Sequence, residues 1–190
     1  MGTGNVTGLA NTIHPSILVA GRVLVLFIFA AAVVGKLRHR EEFIGVVANY
    51  RIVPPVAVAW TAWFLIGLEI AVVVCLATGF ELIAGAALAI FLLCAFAAAM
   101  AINLARGRIE IDCGCFQSTL RQRLSVALIV RNLLLVLVIA PLLGLVGPPP
   151  SFLQLLDGIA TGLVLFILYL VVGELQAVRA AAVNAGKRYA

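Results

Sequence analysis

The chain has 190 residues, of which 64% are hydrophobic and only 11% charged, with a mean hydropathy of +1.20. A soluble domain is close to half apolar and about a quarter charged, so this composition excludes an ordinary water-soluble enzyme and identifies an integral membrane protein. The net charge of +5 reflects how the basic residues are distributed along the chain, and no nucleic-acid binding is read from it.

A bilayer core about 30 Å thick takes roughly 20 apolar residues in a helix, and five runs of that kind are present, at 15–35, 56–78, 82–104, 124–145 and 153–172. Only helices or closed barrels satisfy the backbone in lipid, and these runs are too long and unalternating for barrel strands. The expected fold is an all-α antiparallel bundle of four transmembrane helices plus a fifth. No stretch long enough for a soluble domain is left over, so residues 1–190 read as a single membrane domain.

The first eleven residues carry no Lys or Arg, whereas a cleavable signal peptide opens on a basic segment, so the first helix is expected to be retained. After it, Phe43, Val46, Val47 and Tyr50 recur at helical spacing opposite His39, Arg40 and Glu42. That pattern predicts a short amphipathic helix along the membrane surface. Pro54-Pro55 ends it and starts the second span, because proline fits the first helical turn but not the interior. Pro141, near the end of the fourth span, is a place for a kink or a packing adjustment.

Lys36, Arg38, Arg40 and Arg51 lie between spans one and two, Arg106, Arg108, Arg121 and Arg123 between three and four, and Arg179, Lys187 and Arg188 after five. The alternate connections have no basic residue. The positive-inside rule therefore predicts an inner or plasma membrane protein with its N-terminus outside and its C-terminus in the cytoplasm. Contact of the basic segments with the anionic leaflet accounts for the net charge.

Charges within the spans are costly and usually face the bundle interior with a partner. If spans one and two end at the same level, Arg22 and Glu69 both lie about 20 Å deep and pair across those helices. This is either a structural ion pair fixing register, or part of a polar pocket for a quinone or a proton path. Arg131 and Asn132 lie about 10 Å into the fourth span, within reach of the headgroups, and are candidates for the same pocket.

The polar connection between spans three and four contains Asp112-Cys113-Gly114-Cys115-Phe116. Two thiols one residue apart can form and break an internal disulfide, carrying two electrons and two protons. The ring closed across Gly114 is small and strained, which makes such a disulfide easier to reduce, and glycine eases its closure. Asp112 and Glu110 oppose thiolate formation while the neighbouring arginines favour it. Three readings stand: a redox pair, two unremarkable loop cysteines, or half of a metal site. The metal reading lacks ligands, since Cys75 and Cys94 are inside spans and the two histidines are in other connections. Cys75 and Cys94 read as small apolar residues.

Arg22 with Gly35-Lys36, Tyr50-Arg51-Ile52-Val53-Pro54, Glu69, Asn103-Leu104-Ala105-Arg106-Gly107-Arg108 leading to Asp112-Cys113-Gly114-Cys115-Phe116, and Arg131-Asn132 together resemble the methylamine-utilisation MauE family, related to the DoxX-like membrane proteins. The resemblance runs from about Ile17 to about Leu145. It implies a four-helix membrane bundle, here with an added helix, acting with a thioredoxin-like partner in making or maintaining disulfides outside the cytoplasm. The family pattern continues Cys-Phe-Gly, and this chain departs from it with Gln117.

The expected function is thus thiol–disulfide exchange through Cys113 and Cys115. A quinone is the candidate oxidant, bound near Arg131, Asn132, Glu69 and Arg22, and no metal is expected. The alternative is a non-catalytic membrane subunit that anchors or assembles a larger redox complex. Small-molecule transport has only the mid-span polar residues behind it, without the paired broken helices transporters use. Charge bias sets the cysteine connection in the cytoplasm, where thiols stay reduced, whereas the resemblance implies a partner outside. Either a membrane-soluble carrier serves a connection folded into the bundle, or the charge rule misleads here.

Overall fold

The structure, a computed structural model, describes residues 14–108, 124–144 and 149–186. Helix α1 spans Pro15–Arg38 and α2 Arg40–Tyr50; a 3₁₀ turn at Pro55–Ala57 leads into α3, Val58–Thr78; α4 spans Leu82–Ala105, α5 Val126–Ile139 and α6 Phe152–Gly186. Among the described residues there is no strand, and five helices are long and apolar enough to cross a membrane. The chain is a multi-pass membrane protein. Trp60, Phe64, Phe91 and Leu137 are among the large apolar side chains turned outward, as lipid contact requires.

The five expected spans coincide with these helices to within a few residues, save that α6 continues to Gly186. At about 1.5 Å per residue its 35 residues run to roughly 52 Å, well beyond a hydrocarbon core. Each boundary has a local cause. Pro15 sits at the first position of α1, where its missing N–H costs nothing. Arg51 adopts left-handed backbone, φ 48°, and ends α2. Gly79, φ +75°, stops α3, its N–H donating to the Cys75 carbonyl. Ser151 and Gln154 open α6 with reciprocal side chain to backbone bonds of 2.8 and 3.4 Å, a capping box. Pro141 marks where α5 tightens into a 3₁₀ turn, Ala140–Leu143.

The main core lies where α1, α3, α4 and α5 meet, around Val25, Phe29, Val72, Leu76, Ala89, Leu92 and Ile139. Small residues bring the backbones together: a Cβ on Gly85 of α4 would sit 2.6 Å from Cys75 Cβ, and one on Gly21 of α1 3.1 Å from Val138 of α5. Cys75 is thus a packing residue at a close helix crossing, as its apolar surroundings suggested. Helix α6 docks on α1 through Gly158 and Gly162, where a Cβ would come within 2.6–2.7 Å of Val19 and Val23. This is a small-xxx-small contact of the kind that lets membrane helices approach closely.

The short helix α2 exists where the pattern put it, but it packs on the bundle. Phe43 is buried against Ala62 and Ile66 of α3.

Candidate functional site

Four polar side chains meet inside the bundle near the α2 end: Lys36 from α1, Glu69 from α3, and Arg131 and Asn132 from α5. They line a cavity of about 30 Å³ with Phe96 of α4 and Tyr169 of α6. Lys36 and Glu69 form a salt bridge with side chains only 3% and 2% exposed. The Lys36 ammonium also lies 5.0 Å from the Phe43 ring centre and 5.1 Å from that of Phe96. Arg131 stacks its guanidinium 5.1 Å from the centre of the Tyr169 ring.

The pairing expected between Arg22 and Glu69 does not form. Arg22 instead donates from Nε to the Leu76 carbonyl at 2.7 Å and from Nη2 to that of Ala77 at 3.3 Å. It thereby satisfies the unpaired carbonyls at the C-terminal end of α3, where the helix dipole favours a cation. The equal-level assumption fails because α1 stops short: its last turn lies beside the middle of α3, and α2 packs against Ala62 and Ile66 below it. Helical side chains lean toward their own N-terminus. In two antiparallel helices Lys36 and Glu69 therefore lean toward each other, whereas Arg22 lies near the far end of α3. Arg22 stands outside the polar cluster.

Lys36 is the member that sequence reasoning missed, having been counted as an interfacial basic residue. Its sequence signal was its place at the end of an unbroken apolar run, in a helix that continues to Arg38, with an aromatic residue to follow at Phe43.

The cluster is not self-sufficient in hydrogen bonds. Glu69 Oε2, Arg131 Nε and Nη2, and Asn132 Nδ2 are buried and have no hydrogen-bond partner among the described residues. An unpaired buried polar atom costs about 1–3 kcal/mol, and native interiors rarely leave such groups together. The atoms do complement one another: Arg131 and Asn132 donate, Glu69 accepts. A water needs roughly 10–15 Å³ and two to four polar partners, so the cavity has room for one or two waters bridging these groups.

Next to this cavity lies a second, of about 200 Å³, bounded by α2, the 52–53 linker, α3 and α4. Its walls are apolar and aromatic, including Phe43, Tyr50, Leu65, Phe96 and Met100, and Lys36 lines it as well as the first. The salt bridge therefore separates a small polar chamber from a larger apolar one.

Asn103 to Arg108 acts as a helix stop. Gly107 has φ +72°, its N–H donates to the Leu104 carbonyl and that of Arg108 to Asn103, a glycine-ended C-cap. Asn103 is buried and donates to the Ala99 carbonyl at 3.1 Å. The chain resumes at Leu124, which packs with Met100, Leu128 and Tyr50, at the same end of the bundle as α2. Cys113 and Cys115 fall in residues 109–123, outside the described residues.

Residues 14–146 match the family model described as "Methylamine utilisation protein MauE". The chain belongs to the MauE family. It is 42% identical over 160 residues, covering 83% of this chain and 86% of the relative, to the methylamine utilization protein MauE of Paracoccus denitrificans. It is also similar to the protein of that name from Methylorubrum extorquens, at 35% identity over 85% of this chain and 88% of the relative. No solved structure matches. The family match takes in α1 to α5 and all four cluster residues, together with the cysteine pair.

Proposed function

We propose that this MauE-family membrane protein is a thiol–disulfide exchange protein serving methylamine utilisation, with Cys113 and Cys115 as its reactive pair and a thioredoxin-like protein as its partner. The observation that carries the reading is the Cys-Gly-Cys pair in the sequence of the α4–α5 connection, together with a buried and incompletely paired polar cluster inside the bundle. A partner thiolate attacks one sulfur of the Cys113–Cys115 disulfide to form a mixed disulfide, and the partner's second thiolate resolves it. In the oxidising direction, a partner dithiol gives two electrons and two protons to the Cys113–Cys115 disulfide and leaves as a disulfide. The resulting dithiol passes both electrons and both protons to a membrane quinone, which becomes quinol. The charge distribution supports a cytoplasmic C-terminus, and thiol labelling from each side of intact cells tests it.

The decisive experiment is capture. Cys113→Ser and Cys115→Ser variants are expressed separately and mixed disulfides are trapped by acid quench. One variant is expected to accumulate a covalent adduct with a thioredoxin-like protein. Absence of adduct with either variant, and no change in the partner's redox state in the double variant, refutes the assignment.

The length of α6 favours a second reading. Its last turns, with Arg179 exposed, pass beyond Gln176, where the apolar span ends, and offer a handle for a larger redox complex that this chain would anchor without catalysing. A stoichiometric complex that survives both Cys→Ser changes in mild detergent supports that reading.

A further inference from the structure

We infer that the cavity between α2, α3 and α4 binds the ring of a membrane quinone, with Lys36 donating a hydrogen bond to a ring carbonyl. The inference rests on the proposed redox role for its meaning in the cell, but the binding itself does not require the cysteines.

Size is the first argument. The polar chamber around Glu69 and Arg131, at about 30 Å³, has room for one or two waters and is too small for a ring. The neighbouring cavity of about 200 Å³ exceeds the roughly 150 Å³ that suffices for a benzene ring in a protein interior. Wall chemistry is the second. Phe43, Tyr50 and Phe96 offer ring faces and edges for stacking, and Leu65 and Met100 fill between them.

The third argument is the charge at the boundary. Lys36 is 97% buried, since its exposure is 3%, and it lines this otherwise apolar space. An ammonium carries three hydrogens, and the Glu69 bond engages one. A ring carbonyl in the cavity takes one of the other two, in exchange for part of the weaker contact with the Phe43 and Phe96 rings, and forms a charge-assisted hydrogen bond in a low-dielectric site. A lipid tail fills apolar volume equally well but has no acceptor to offer. Glu69 and Lys36 both line the small polar chamber, so the carbonyl site and the chamber share one ammonium. That arrangement suits a ligand that takes up protons when it takes up electrons.

The test uses the full-length protein in nanodiscs and an azido-substituted decylubiquinone as photolabel, with adducts mapped by peptide mass spectrometry. Labelling is expected on α2 or on residues 95–100 of α4, competed by decylubiquinone and not by decylbenzene, which has the tail and ring without carbonyls. Ala99→Leu, which fills the cavity from α4 and leaves the salt bridge intact, is expected to lower labelling at least roughly tenfold. The double variant Lys36→Met/Glu69→Gln, which removes the donor without stranding a charge, is expected to weaken competition by roughly ten- to a hundredfold, the range of a hydrogen bond to a charged group. A circular dichroism spectrum and a monodisperse elution profile establish that each variant is folded.

Adducts spread evenly over lipid-facing residues overturn the inference. So does equal competition by decylbenzene, which would mark a lipid-tail site, or labelling indifferent to Ala99→Leu. Labelling that persists in Cys113→Ser/Cys115→Ser while no mixed disulfide can be trapped upholds the site and removes the thiol reading. Trapping without labelling does the reverse.

Discussion

Removing the Lys36 ammonium alone should damage the protein far more than removing both partners of its salt bridge. In Lys36→Met the side chain keeps its length and apolar stem, and Glu69, 1% exposed, loses the one partner its Oε1 has while Oε2 already lacks one among the described residues. Breaking a buried pair in this way costs about 3–5 kcal/mol. Loss of the ring contacts at 5.0 and 5.1 Å adds roughly 0.5–2 kcal/mol each where the cation is desolvated, less what methionine recovers by packing its sulfur on the same rings. Replacing both partners, as in Lys36→Met/Glu69→Leu, leaves no charge stranded. Such exchanges are commonly neutral or stabilising by about 1–4 kcal/mol. With about 2–4 °C of melting temperature per kcal/mol for a chain of this size, the single variant should melt roughly 6–20 °C below the parent in detergent, and the double variant near or above it. A thermal unfolding series over parent, both single variants and the double variant closes the cycle. If Lys36→Met melts no lower than the double variant, the buried pair is not what holds α1 against α3, and the reasoning fails.

Gly158→Leu and Gly162→Leu should release α6 from α1, because even a Cβ there would meet Val19 and Val23 at 2.6–2.7 Å. Engineered cysteine crosslinking between those helices should fall away while α1–α3 crosslinks persist. Asn132→Leu should raise thermal stability by about 1–3 kcal/mol, since it removes a buried amide whose Nδ2 has no partner among the described residues. The same variant should lower exchange activity if the chamber serves the redox chemistry, which is the usual sign of a functional polar group. Arg22→Met should cost about 1–3 kcal/mol by uncovering the Leu76 and Ala77 carbonyls, with no effect on quinone labelling, because Arg22 lies away from the cluster.

The spans were legible in the sequence because length and apolarity alone decide them, and α2 because Phe43, Val46, Val47 and Tyr50 repeat at helical spacing. Asn132, Arg131 and Glu69 stood out as polar residues in apolar runs. Their meeting with Lys36 was not legible, because it depends on where α1 stops relative to α3. That offset follows from α2 packing under α1, a tertiary fact. Lys36 and Arg22 illustrate the ambiguity well: each is one basic residue on the same helix, and either reaches α3. Which one meets the carboxylate is set by helix level and by the lean of side chains, neither of which residue spacing records. The apolar cavity was equally invisible, since its walls come from α2, α3 and α4 and form only when Phe43 is seated.

The place of α6 follows from the same electrostatics. Arg131 stands on α5 with two buried donors lacking a partner among the described residues, and a guanidinium turned toward lipid is expensive. Tyr169 of α6 lies across it at 5.1 Å, and the glycines at 158 and 162 draw α6 close enough to α1 for that ring to reach. The family match ends at residue 146, before α6 begins, so the helix that covers the cluster lies beyond the part the family model describes. Tyr169→Ala should therefore do more than delete a contact worth about 0.5–2 kcal/mol. It should open the polar chamber toward the lipid, so that hydrogen exchange or a small thiol reagent at a cysteine introduced in place of Asn132 becomes faster than in the parent background. Tyr169→Phe keeps the ring face and should leave that rate unchanged. An equal rate in all three backgrounds would mean that α6 packs beside the cluster without sealing it, and its length would then have to be explained by the partner it reaches.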